Sequence, residues 1–271
     1  MQNFAETVTY HADKIAQILI SDLHLPLIEP VSDTLGQAFL RLLDNCLALP
    51  NLKTLYILGD WFEAWLGDDV ADTPIIHDRL LPMVLRLQQL QQRHCDILVM
   101  VGNRDFLLGQ TFCDKFGGKL INAPFYFELA NKKDRQTIRL EHGDALCTDD
   151  KRYQRFRRII QHPITKKCLL ALPITKREQI AQNLRQKSQT GNAKKSLHIM
   201  DVNIQAAANA LKRCDMLLHG HTHRPATHQV HGKQRIVLGD WRRIDDGVVA
   251  KIGVVVAGEL QLVSYYFNTV I

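Results

Sequence analysis

Short apolar runs punctuate this chain, and between them the apolar positions fall into helical spacing. Gln17–Ser21, Leu55–Leu58, Ile97–Val101 and Thr137–Glu141 read as strands. After a long interval so do Met216–His219, Gln234–Leu238, Val248–Val256 and Leu260–Phe267. Asp33–Leu49 sets Leu35, Phe39, Leu42, Leu43, Cys46 and Leu47 on one helical face, with Ser32 or Asp33 as its cap. Ile75–Arg93 is a second helix, which Pro82 either kinks or delays. Strands alternating with helices predict a layered α/β fold.

Past Asp150 the pattern changes. Basic helical segments are interrupted at Pro163 and Pro173, and Gln186–Asn192 reads as a loop. The expected organisation is one domain over residues 1–271, with 151–212 inserted as a helical cap. A chain of 271 residues with 46% apolar composition can bury a large core. Its apolar runs are no longer than Ile97–Val101, far short of the ~20 residues that a membrane-spanning helix needs. Met1–Lys14 is polar and offers no apolar signal segment, so a cytoplasmic protein is expected. Cys46, Cys95, Cys113, Cys147, Cys168 and Cys214 form no C-x-x-C pair, which predicts reduced, mostly buried thiols.

Charge adds a feature that hydropathy does not show. The net charge is +6, yet residues 151–195 carry thirteen Lys/Arg against the single Glu178. That segment is +12 and the remainder −6. An acidic body with one basic segment suits a local anionic partner, the plainer alternative being solvated helix faces.

Five polar clusters directly follow predicted strands: Asp22-Leu23-His24, Gly59-Asp60, Gly102-Asn103-Arg104-Asp105, His142-Gly143-Asp144 and Gly220-His221-Thr222-His223. Loops at the carboxyl ends of α/β strands converge on ligands. Carboxylate, amide and imidazole donors without thiolate suit Mn, Fe, Zn or Mg. By strand period, Asp22 and His24 would face one ion, as would His221 and His223. Adding Asp60, Asn103 and His142 gives seven donors, too many for one ordinary site, and predicts two ions sharing Asp60. Each motif alone has an ordinary explanation as a cap, a turn or a hydrogen-bonded core histidine. Their common order and strand-end placement carry the metal reading.

The succession D-x-H, G-D, G-N, H and G-H-x-H resembles the calcineurin-like metallophosphoesterases. The longer strings Leu55–Asp69, Gly102–Gly109, His142–Asp150, Ile199–Asn203 and His219–Pro225 resemble one family within them, the UDP-2,3-diacylglucosamine pyrophosphatases, over Ile18 to about Leu238. The resemblance implies a β-sandwich flanked by helices. It implies one ion on Asp22, His24, Asp60 and His223 and the other on Asp60, Asn103, His142 and His221, with two Mn2+ as cofactors and other divalent metals usable. It also implies substrate contacts from Asn103, Arg104, Asp150, Ser188, Asn192, Lys195 and His221, with Asn103, Arg104 and His221 catalytic. The implied substrate is an amphiphilic UDP-sugar lipid of lipid A biosynthesis, with UMP and 2,3-diacylglucosamine 1-phosphate as products. The expected setting is peripheral, at the inner face of the inner membrane, with no nucleic acid and no obligate protein partner. Trp61 stands where the family usually has Leu, and Gly239-Asp240-Trp241-Arg242 where it has Gly-Ala-Trp-His.

Elementary chemistry points the same way. Two divalent ions and two aspartates leave a centre of net +2, which attracts a pyrophosphate and generates hydroxide from water near neutral pH. The wider superfamily has a proton-donating histidine where this chain has Arg104. Arginine stays charged and clamps rather than protonates, and a leaving phosphate monoester needs no proton at pH 7. Arg104 paired structurally with an acidic neighbour such as Asp105 is the competing reading. Apolar pairs such as Ile159-Ile160 and Leu169-Leu170 among the basic residues suit acyl chains at a membrane surface, or ordinary packing. Three rivals stand beside this reading. One is a nucleotide or dinucleoside-polyphosphate hydrolase of the same fold, and another a metal-free interaction scaffold. The third is a nuclease, disfavoured because Tyr153 and Phe156 are the only aromatics in residues 151–195.

Overall fold

The computed structural model describes residues 3–27, 33–130, 135–192 and 201–269. The chain opens with α1 (Phe4–His11) and β1 (Ile15–Ile20), then runs through α2 (Thr34–Ala48), β2 (Thr54–Leu58), α3 (Pro74–Gln92) and β3 (Asp96–Met100). A short α4 (Gln110–Asp114) leads into β4 (Lys119–Ile121), β5 (Phe125–Ala130) and β6 (Arg135–Leu140). Next come α5 (Lys151–Ile160), α6 (Pro163–Leu170), α7 (Ile174–Asn192) and α8 (Ile204–Leu211). The chain finishes with β7 (Met216–His219), β8 (Thr227–Val230), β9 (Lys233–Val237), β10 (Gly239–Ile244), β11 (Gly247–Val256) and β12 (Glu259–Asn268).

One sheet has the order β10-β11-β1-β2-β3-β4, with β12 also on β11; the other has β5-β6-β7-β9-β8. Within them β1 to β4 run parallel, as do β6, β7 and β9. Alternate side chains of a strand face opposite ways, and here each face finds its own core. Ile18, Ile20, Leu55, Ile57, Ile97 and Val99 pack with Phe39, Leu42 and Leu43 of α2 and Leu87 of α3. The intervening Leu19, Tyr56, Leu58 and Met100 meet Ile138, Leu140, Leu218 and Ile236 of the second sheet. On that sheet's other face, Leu217 packs with Ala207 and Leu211 of α8. The result is two sheets face to face with helices outside both, which is the sandwich expected from the sequence.

Local signals explain most boundaries. Asp33 caps α2, accepting the Leu35 N–H at 3.3 Å. Pro74 starts α3 in the first turn, where a missing N–H costs nothing, so Pro82 lies inside the helix and does not delay it. Residues 186–192 are helix, not the expected loop: Gln, Lys and Ser tolerate helix, and Gly191 falls beside the helix end. The polar N-terminus forms α1, capped by Asn3 and held by Phe4 edge-on to Tyr265 at 5.8 Å. So short an apolar pattern gave no usable periodicity. Five cysteines are buried, Cys168 is exposed, and all six are free.

Side chains of α5 and α7 tie the basic helices to the body. Tyr153 Oη and Arg157 Nε of α5 donate to Asp144 Oδ2 at 2.8 and 2.6 Å. The buried Arg177 of α7 pairs with Asp69 and donates to the Leu66 and Leu172 carbonyls. No helix among the described residues is long and apolar enough to cross a membrane.

Candidate metal centre

The five polar clusters leave the ends of β1, β2, β3, β6 and β7, so both sheets deliver loops to one place. Main-chain bonds stitch these loops together. His24 N donates to Asp60 O at 2.9 Å, and Gly220 N to His142 O at 2.8 Å. Across the sandwich, the His221 N–H reaches both oxygens of Asp22, at 3.0 and 2.9 Å. Beneath them the buried Asp105 accepts the N–H groups of Gly102 at 2.6 Å, Trp61 at 2.7 Å and Asp60 at 3.3 Å. Gly102 is required here by close approach, since a Cβ on it would collide with Asp60 Oδ1.

Backbone strain collects at the same place. Asp22, His24, Asp60, His221, His223 and Asp240 have φ between +50° and +69°. They are six of the nine described non-glycine residues with positive φ. Such conformations cost free energy and persist where surrounding structure imposes them, as at functional sites. They also overturn one expectation from strand period. Beyond the strand ends the alternation lapses, and His221 and His223 separate: His223 joins Asp22 and His24, while His221 joins Asp60 and His142.

Within each of these two groups the candidate ligand atoms lie within 4.8 Å of one another. His24 Nε2 and His223 Nε2 face each other at 3.2 Å with their rings stacked. Two nitrogens bound to one tetrahedral ion would stand about 3.4 Å apart. In the other group His142 Nδ1 is 3.0 Å from the Leu58 carbonyl, which makes Nδ1 the protonated nitrogen. His142 Nε2 then faces two oxygen acceptors, Asn103 Oδ1 at 3.1 Å and Asp60 Oδ1 at 3.6 Å. A nitrogen and two oxygens aimed at one point need positive charge between them, either a proton on Nε2 or a cation in its place. The donor set therefore fits a divalent cation.

The electrostatics of the metal-free centre agree for two of its histidines and leave the third, His142, protonated until a cation takes the proton's place. Burial pushes His24 down to about 3 and His221 to about 4, so both imidazoles are neutral, as ligands must be. Burial also disfavours a charged His142, but Asp60, Asp22 and Asp144 outweigh it and hold it up at about 9. Burial raises Asp22; Asp60 is equally buried, yet His142, His24 and the Arg104 N–H hold it low. Burial and then the Asp60 charge push Asp105 to about 7.

The other expected residues are placed unevenly. Arg104 is half-exposed beside the centre, its Nε 3.9 Å from Asp60 Oδ2 and its Nη1 2.5 Å from Glu63 Oε1. The acidic neighbour it pairs with is thus Glu63, where Asp105 was the example expected. Asp150 is buried and caps α5, accepting the Tyr153 N–H at 3.0 Å. Ser188 and Asn192 fall in α7, where their side chains lie outside the described residues, and Lys195 lies outside them entirely. Sequence reasoning missed Glu63 and Arg185, whose guanidinium reaches Glu63 at 3.0 Å. The three-residue spacing from Asp60 to Glu63 was the available signal.

Two such sheets, meeting at paired carboxylate–histidine groups that could each hold a divalent metal, are the sandwich and site that the resemblance to calcineurin-like metallophosphoesterases implied. No protein-family model matches the chain. It is 42% identical to UDP-2,3-diacylglucosamine hydrolase of Stutzerimonas stutzeri over 83% of this chain and 91% of that one. It is 38% identical to the protein of that name from Yersinia pseudotuberculosis over 93% and 100% of the two chains. The chain belongs to the UDP-2,3-diacylglucosamine hydrolase family. Among solved structures, phosphopantetheinyl hydrolase from Mycobacterium tuberculosis aligns with TM-score 0.40 and 13% identity over 83% of this chain and 89% of its own, too loosely to bear on the site.

Proposed function

We propose that this protein cleaves the pyrophosphate bond of UDP-2,3-diacylglucosamine, giving UMP and 2,3-diacylglucosamine 1-phosphate for lipid A biosynthesis, at a centre of two Mn2+ ions. The observation that carries this reading is the division of one carboxylate between two ligand groups: Asp60 Oδ1 faces His142 and Oδ2 faces His24. Asp22, His24, Asp60 and His223 would hold one ion, and Asp60, Asn103, His142 and His221 the other. When bound, the cations supply a nucleophile at neutral pH and neutralise charge developing on the phosphoryl group.

The chain's own side chains position and clamp the substrate. Arg104, fixed by Glu63 beside the centre, donates to the transferring phosphoryl oxygens. Because its guanidinium keeps its proton, it suits a phosphate leaving group and not an alkoxide. Asn103 and His221 touch both a ligand group and the substrate. Asp150, Ser188, Asn192 and Lys195 contact the rest of the head group. Residues 151–212 act as a cap on the single domain: the exposed Phe156, Ile159, Ile164, Leu170 and Leu172 stand among Lys and Arg. Such a surface suits acyl chains and anionic head groups at the inner face of the inner membrane.

The test is metal-free protein assayed on acylated UDP-glucosamine while single metals are added back. Hydrolysis restored best by Mn2+, with strong preference for the acylated substrate, is expected. Equal turnover of plain nucleotides or dinucleoside polyphosphates would overturn the substrate, and undiminished activity without metal would overturn the centre.

A further inference from the structure

The corner between β9 and β10 is pressed against the centre. A Cβ on Gly239, at φ +97°, would stand 2.5 Å from Asp22 Oδ2, so only glycine permits this approach. The next residue, Asp240, has φ +61°, and the β10–β11 register slips between Gly239 and Arg242. A bulge of this kind re-aims side chains. Here it sends Trp241 into the core against Tyr265, with ring centroids 5.4 Å apart, and turns the largely buried Asp240 toward the centre. Aspartate tolerates the left-handed region better than most residues.

Asp240 meets His223 from behind. Its Oδ1 lies 3.5 Å from His223 Nδ1, while His223 Nε2 faces His24 Nε2 at 3.2 Å. The two ring nitrogens therefore have separate jobs, Nε2 toward the ligand group and Nδ1 toward a carboxylate. The other oxygen of Asp240 is held at 2.8 Å by Arg242 Nε, which fixes the carboxylate's orientation from the solvent side. His142 divides its nitrogens in the same way, Nδ1 on the Leu58 carbonyl and Nε2 toward its ligand group, whereas Glu63 Oε2 comes no nearer than 3.7 Å to His24 Nδ1.

We propose that Asp240 is a positioning residue for the ion held by His223: its carboxylate keeps the proton on Nδ1, fixes the ring and strengthens Nε2 as a donor. A carboxylate behind a metal-bound imidazole acts in this way, and its loss commonly weakens metal binding about 10–100-fold. Because His223 is the most open of the candidate ligands, with 40% of its side chain exposed, its ring has the least packing to orient it. Asp240 supplies that orientation.

This inference rests on the two-ion reading above, and metal titration separates the two. Mn2+ binding to metal-free wild type, Asp240→Ala and Asp240→Asn is followed by calorimetry and by the resonance signal of free Mn2+. Thermal unfolding of the metal-free proteins serves as the control for fold. In Asp240→Ala one of two ions should bind about 10–100-fold more weakly while the other is retained. Asp240→Asn, which keeps an acceptor oxygen and the shape but not the charge, should lose less, and it remains informative if the alanine variant does not fold. Two ions in wild type with unchanged affinities in both variants would overturn this inference alone, as would equal weakening of both ions. Fewer than two ions in wild type would overturn the two-ion reading and this inference together.

Discussion

Asp60 Oδ1 lies 3.6 Å from His142 Nε2, and the second oxygen of the same carboxylate looks the other way, toward the His24 ring at 3.9 Å. One side chain thus faces both ligand groups, while His24 belongs to one. Asp60→Ala should therefore lose metal from both groups and His24→Ala mainly from one, with activity falling further in the former. Elemental analysis of the purified variants checks this. Two full equivalents of metal in Asp60→Ala would remove Asp60 from the role of bridge.

Arg104 separates a clamp from a proton donor. Its guanidinium is fixed by Glu63 and half-open toward the cleft, so it can meet charge that develops in the transition state. Arg104→Ala should lower kcat by ~100-fold or more, on the scale of losing one preorganised donor. Lysine should recover only part, because a point charge does not reproduce the planar fork. Histidine should rescue little on the anhydride but more on a simple alkyl phosphodiester. Unchanged anhydride hydrolysis in Arg104→Ala, with metal content intact, would end the clamp hypothesis.

The strands that carry the site were legible because their alternation feeds two cores, as Ile18, Leu19 and Ile20 show. The polar clusters were legible for the same reason, since each stands where such a run stops. What did not follow was the geometry past the strand ends. Period two predicted His221 and His223 together, but φ of +69° and +53° breaks the alternation and parts them. Asp240 was visible only as a departure from a family pattern, because a bulge, not a repeat, aims it. Edge strands such as β4 and β8 escaped because a few half-exposed residues carry no period.

Asp105 is the knot beneath the centre. It accepts three main-chain N–H groups, from Gly102, Trp61 and Asp60, in a buried position. Asp105→Ala leaves these donors without a partner, each at a cost of about 1–3 kcal/mol, so a loss of ~3 kcal/mol or more is expected. Asp105→Asn keeps one acceptor oxygen and should lose less. Urea unfolding of the metal-free proteins measures both. A loss below 1 kcal/mol for alanine, on the order of an ordinary surface change, would show that water replaces the carboxylate.

The Arg177–Asp69 pair gives a pH dependence whose sign is fixed. The hydrogen bond from Arg177 holds the Asp69 carboxyl below its ordinary 3.8. Between the two values the unfolded chain binds more protons than the folded one, so the pair's contribution is complete above 3.8 and fades as pH falls through the depressed folded value. Asp69 is more than half open to solvent, at 55%, so the effect is screened and amounts to under ~1 kcal/mol. Asp69→Asn should accordingly be slightly less stable than wild type at neutral pH, and the gap should close in acid. Arg177→Met should cost more, about 2 kcal/mol, because the Leu66 and Leu172 carbonyls lose a buried charged donor as well. That larger loss should appear first in α7, as faster amide hydrogen exchange in its early turns. Unfolding curves of metal-free wild type and Asp69→Asn, taken from neutral pH downward, decide the sign: a gap that widens in acid contradicts the assignment.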